Sequence, residues 1–130
     1  MLKKLTPNLM VEDVSRTIAF YEDILGFEAV MTLPETAPFD FAIVQRDGVE
    51  LMFQSRQSLS ESVPALAGSA IGASQTFYIE VTGITDLYKQ LQDKVEIVVD
   101  LHTTFYGTRE VYFRDINGYI LSFSEAKQPA

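Results

Sequence analysis

The chain has 130 residues, no cysteine, and a formal charge of −8 from 18 acidic and 10 basic side chains. That length makes one modest domain or two very small modules sharing a core, and the missing cysteines exclude disulfides, thiolate metal sites and a thiol nucleophile. The acidic balance speaks against a nucleic-acid partner, which draws on clustered Lys and Arg, and no apolar run is long enough to span a bilayer. The start, M-L-K-K-L-T-P, has two basic residues and no long apolar segment behind them. No secretory signal and no membrane partner are expected, and cytoplasm is the default compartment.

In chain order, Leu5, Leu9 and Val11 fall on one side of an expected first strand, with Thr6, Asn8 and Met10 on the other. Asp13 is placed to cap a helix. Val14, Ile18, Tyr21 and Leu25 recur at helical spacing and predict that helix over Val14–Leu25, with Gly26 as its left-handed C-terminal cap. A second strand is expected over Phe27–Leu33. Pro34 to Pro38 reads as a loop and Phe39–Gln45 as a third strand. Arg46-Asp47-Gly48 is a hairpin turn. In the fourth strand, Val49–Gln54, Val49, Leu51 and Phe53 alternate with Glu50, Met52 and Gln54.

Ser55–Ala73 is rich in Ser, Ala and Gly and reads as a connector, with a helical turn or two over Ser58–Leu66 left open. The pattern then restarts. Phe77, Ile79 and Val81 alternate with Thr76, Tyr78 and Glu80, and Ile84–Leu91 is a second amphipathic helix. Val95–Leu101 is an expected strand, His102–Gly107 a loop, Arg109–Arg114 a strand, Asp115–Gly118 a turn and Tyr119–Ser124 the last strand. Lys127–Ala130 reads as a frayed tail. Val11 matches Val81 and Gly48 matches Gly118, both 70 positions on, so the chain is an internal repeat.

The expectation is therefore an α+β fold of two tandem βαβββ modules, 1–57 and 74–130, joined by a connector at 58–73. Each module would turn the sheet face away from its helix towards a shared, sheet-lined cleft. Alternation assigns Asn8, Glu50, Met52, Gln54, Tyr78, Glu80, Glu110 and Tyr112 to that lining, with Phe39 and Tyr106 at the rim. Three carboxylates among aromatic faces suit a cation. His102, the only histidine, reads as polar surface.

The stretches V-E-D-V-S-R-T-I-A-F-Y-E-D-I-L-G-F (Val11–Phe27) and Y-G-T-R-E-V-Y-F-R-D-I-N-G-Y-I-L-S-F (Tyr106–Phe123) resemble the vicinal oxygen chelate superfamily of glyoxalases, extradiol dioxygenases and bleomycin-resistance proteins. The resemblance implies the paired-module fold and a homodimer. Metal-dependent members hold an ion with two His and two Glu. The corresponding positions here are Thr6, Met52 or Glu50, Thr76 and Ser122. Such hydroxyls do not replace imidazole and carboxylate, so no metal and no other cofactor is expected. The reading is a protein that binds or sequesters a small cationic, partly aromatic molecule, as the bleomycin-resistance branch does, without catalytic residues. The alternatives are a metal-dependent lyase, isomerase or dioxygenase with a shifted site at Glu50, Glu80 or Glu110, and a regulatory module with a vestigial cleft.

Overall fold

The computed structural model describes residues 1–127, so all but the first residue of the expected tail lies outside the described residues. The chain forms two compact units, Met1–Ile71 and Gly72–Ala130. Each holds a four-stranded mixed sheet with a βαβββ element order, eight strands in all among the described residues.

In the first unit, β1 (Asn8–Val11), β2 (Glu28–Leu33), β3 (Phe41–Arg46) and β4 (Val49–Ser55) lie in the order β1-β4-β3-β2, with β1 parallel to β4 and the other pairs antiparallel. Helix α1 (Val14–Asp23) packs on β2, β3 and β4. Its start is fixed by Asp13, whose carboxylate accepts from the Arg16 amide at 3.0 Å. Val14, Ile18, Tyr21 and Leu25 all reach the core, facing Ala42, Val44, Leu51 and Phe53. The Tyr21 ring meets Phe53 at 4.8 Å and Phe27 at 5.5 Å. Gly26, at φ +70°, turns the chain out of the helix as its position predicts.

Three boundaries in this unit differ from the sequence reading. The first strand begins at Asn8, and Leu5 lies outside it, 86% exposed. Pro7 has no N–H to continue the ladder, so pairing with β4 opens only after it. The third strand begins at Phe41, because pairing with β2 starts at Leu33 opposite Phe41, and Phe39 remains in the loop behind Pro38. The connector carries a real helix, α2 (Arg56–Ser62), capped by the Ser55 hydroxyl, which accepts from the Ser58 amide. It starts two residues before the expected Ser58. It stops before Pro64, which opens a single 3-10 turn over Pro64–Leu66.

In the second unit, β5 (Thr76–Glu80), β6 (Glu96–Thr103), β7 (Thr108–Arg114) and β8 (Ile120–Ala126) lie in the order β5-β8-β7-β6. Helix α3 (Ile84–Leu91) packs on β7 and β8 through Ile84 and Leu91, and starts 70 residues after α1. The capping chemistry has changed between the repeats. Gly83 at the cap has no side chain, so the Glu125 carboxylate on β8 accepts from the amides of Gly83 and Ile84 at 2.8 and 3.1 Å instead. The expected loop from His102 is also shorter. Strand β6 runs on to Thr103, with His102 opposite Glu110 and Thr103 opposite Arg109, so His102 is a strand residue. Exposed D-L-H-T lacks apolar alternation, which hid this edge-strand segment from the periodicity argument.

Candidate functional site

The face of the second sheet away from α3 carries Thr76 and Tyr78 on β5, Ser122 and Ser124 on β8, and Thr108, Glu110 and Tyr112 on β7. Glu110 is its centre. Although it is 1% exposed, its carboxylate has no ion pair with a Lys or Arg among the described residues. Five hydroxyls surround it instead. Thr108, Ser124 and Tyr78 donate to Oε2 at 2.9, 3.0 and 3.1 Å. Tyr106 and Tyr112 donate to Oε1 at 3.0 and 3.4 Å. The Tyr78 hydroxyl also lies 2.7 Å from Ser124 Oγ, which ties three strands together.

These donors decide the charge state. Burial pushes the Glu110 carboxyl up, but the hydrogen bonds from Thr108, Tyr106, Ser124 and Tyr78 outweigh it and hold the group below the usual glutamate range. Glu110 is a carboxylate at neutral pH. The tyrosines shift the other way. The bond to Glu110, then burial, raises Tyr106; burial, then the Glu110 charge, raises Tyr112. Both remain protonated donors.

The rings, unlike the carboxylate, are reachable. Tyr78 is 51% exposed and Tyr106 57%. Tyr106 sits in the turn between β6 and β7, which is closed by Thr104 and Thr108: the Thr108 amide donates to Thr104 Oγ1 at 3.0 Å, and the Thr104 amide to the Thr108 carbonyl at 2.8 Å. Phe105, fully exposed, meets the Tyr106 ring edge-to-face at 5.0 Å.

Of the residues singled out from sequence, Tyr78, Tyr106, Glu110 and Tyr112 therefore come together. Glu80 does not join them: it is exposed at the end of β5. In the first unit, Asn8 Nδ2 donates to Gln54 Oε1 at 2.9 Å, with Met52 beside them on β4. Glu50 is occupied by an ion pair with Lys4 at 2.9 Å and accepts from the Thr6 hydroxyl at 3.5 Å. Phe39 is half-buried in the loop before β3. Thr108 and Ser124 were absent from the ligand set read from sequence. Two-residue spacing from Glu110 along β7 would have found Thr108, while Ser124 needed the β7–β8 register.

The positions that hold an ion in metal-dependent relatives fail a chemical test. Ser122 is fully buried and donates to the Phe77 carbonyl at 3.4 Å, and Thr76 is exposed. Glu50 already has its cation in Lys4. Among the described residues, no three His, Cys, Asp or Glu side chains are grouped to share an ion. Hydroxyls, one thioether and a paired carboxylate do not fit a divalent catalytic site. His102 Nδ1 lies 2.8 Å from the Asp100 carbonyl on the exposed edge strand.

Comparison with known proteins gives one family. The model described as Glyoxalase/Bleomycin resistance protein/Dioxygenase superfamily matches residues 5–123. No curated protein sequence matches significantly. Among solved structures, a protein of unknown function from Agrobacterium tumefaciens superposes with a TM-score of 0.80 at 20% identity, covering 97% of this chain and 95% of that one. A glyoxalase/bleomycin resistance protein/dioxygenase from Nocardioides gives 0.76 at 20% identity, covering 100% and 88%. A lactoylglutathione lyase from Agrobacterium tumefaciens gives 0.72 at 18% identity, covering 95% and 92%. At these identities the structural likeness carries the fold.

Proposed function

The chain belongs to the Glyoxalase/Bleomycin resistance protein/Dioxygenase superfamily, and from that premise we propose that it binds a small cationic, partly aromatic molecule on the open face of its second sheet, without a divalent ion. The observation that carries this reading is the buried Glu110 carboxylate capped by Tyr78, Tyr106 and Tyr112. A phenol that donates to a carboxylate takes on partial phenolate character, which raises the electron density of its ring. The ring face then attracts a cation more strongly, by roughly 0.5–2 kcal/mol per good contact. Glu110 so acts through the tyrosines, and the ligand meets ring faces rather than the carboxylate itself.

The net charge of −8 supports the same reading, because it raises the local concentration of cations around the protein. A homodimer and a cytoplasmic location belong to this proposal as well; no helix among the described residues is long and apolar enough to cross a membrane.

A thermal melt of chelator-treated protein tests it. A ligand that binds only the folded state raises the midpoint by mass action. The expected result is a saturable rise with berberine, a planar aromatic cation, and none with Ni, Zn, Mn or Fe(II). A saturable rise with one divalent ion and none with berberine would replace this reading with the metal-dependent enzyme.

A further inference from the structure

The first unit holds a feature that the tyrosine cluster does not use. Leu33 on β2, Phe41 on β3 and Gln54 on β4 are consecutive register partners, so their side chains form one row across the sheet. Helix α2 lies against β1 and β4, and the buried Met10, register partner of Gln54, ends the row there. The helix leaves the β2–β3 end of the row uncovered. Pro34 and Asp40, at the two ends of the β2–β3 loop, form the opposite wall. The result is an open groove of ≈ 450 Å³ lined by Leu33, Pro34, Asp40, Phe41, Gln54 and Ser58. That volume falls within the range of about 300–1,000 Å³ for small-molecule sites.

Hydrogen-bond accounting says what this groove can take. Gln54 Nε2 spends its protons on Ser58 Oγ at 2.9 Å and Ser62 Oγ at 3.4 Å, which fixes the amide plane. Gln54 Oε1 accepts once, from Asn8, and keeps a lone pair. Asp40 uses only its backbone: its amide donates to the Leu33 carbonyl at 2.7 Å and its carbonyl accepts from the Ser55 amide at 2.8 Å. These two bonds hold the loop end while the carboxylate has no side-chain partner. The groove thus offers an apolar and aromatic floor, a fixed carbonyl acceptor and a negative charge at the rim.

We propose that this groove is a second binding site, for a small planar aromatic molecule bearing an ammonium group. The ring would stack on Phe41 between Leu33 and Pro34, and the ammonium would donate to the Asp40 carboxylate and Gln54 Oε1. Acceptors outnumber free donors here, which selects against anions and against neutral ligands without N–H groups.

The test is a nitrogen-15 NMR titration of the full chain with 2-naphthylmethylammonium, run beside neutral 2-naphthalenemethanol. The expected result is saturable shifts of the Leu33, Phe41, Gln54 and Ser58 amides with the ammonium, and affinity for the alcohol at least tenfold weaker. Asp40→Asn, an exposed change that leaves both backbone bonds in place, should weaken ammonium binding about tenfold and leave the alcohol unaffected. Absence of saturable shifts at these amides would overturn the site. Equal affinity for the two probes, or no effect of Asp40→Asn, would overturn the ammonium assignment.

Discussion

The hydroxyl of Tyr78 on β5 reaches over the whole of strand β8 to the Glu110 carboxylate on β7, at 3.1 Å. Ser124, on the strand between, bonds to both partners. The buried charge is thereby stabilised without a counter-cation, by dipoles drawn from β5, β7, β8 and the β6–β7 turn. Removing a buried charge's partners costs more than the partnership contributes, because the groups left behind lose water and gain nothing.

Glu110→Ala should therefore strand the five hydroxyls and destabilise the fold by roughly 3 kcal/mol. Glu110→Gln keeps the volume but turns an amide N–H₂ towards hydroxyl donors, at roughly 1–2 kcal/mol. Urea denaturation curves of the two variants check both the order and the size.

Glu125 gives a prediction that depends on pH. The amides of Ile84 and Gly83, listed by weight, hold its carboxyl below the usual glutamate range. A carboxyl whose folded pKa lies below its unfolded value contributes stability above the unfolded value, and that contribution is lost as pH falls through the folded one. The melting temperature of Glu125→Gln should accordingly lie below that of the parent protein at pH 7. The gap should close as pH drops below the ordinary glutamate range. A gap that persists at pH 2 would show that the carboxylate is not the source.

The two helix starts differ in how far the sequence disclosed them. Asp13 announces its role locally, and Asp13→Ala should cost about 1 kcal/mol, measurable by the same denaturation curves. Gly83 announces nothing, since its substitute cap is 42 residues away on β8. The same contrast runs through the molecule. The repeat, the helices and the inward residues Leu51, Phe53, Val111 and Phe113 were legible because apolar period and turn chemistry are local signals. Tyr106 and Glu110 were readable as candidates, but their meeting depends on the Thr104–Thr108 turn. The groove was not legible, because Leu33, Asp40 and Ser58 become neighbours only through register and through the unexpected helix α2. Glu50 misled for the same reason: its face was read correctly, but its ion pair with Lys4 lies 46 residues back in the chain.

Two glycines of the connector look alike in sequence and differ in place. Gly68 and Gly72 both have positive φ, +82° and +92°. A Cβ on Gly68 meets nothing within 4 Å, whereas one on Gly72 would lie 2.8 Å from the Asn117 carbonyl and 3.1 Å from the Gly118 carbon. Gly68→Ala should cost about 1 kcal/mol of backbone strain. Gly72→Ala should cost clearly more, because backbone must move, and a calorimetric comparison of the two separates the terms.

The most direct measurement follows the ring-proton resonances of the tyrosines, six in this chain without tryptophan, while berberine is added to tyrosine-labelled protein. Binding as proposed predicts saturable upfield shifts confined to Tyr78, Tyr106 and Tyr112, weakened in Glu110→Gln and absent with a neutral arene of the same size. Shifts at other tyrosines only, or equal shifts with the neutral arene, would contradict a cation site built on Glu110.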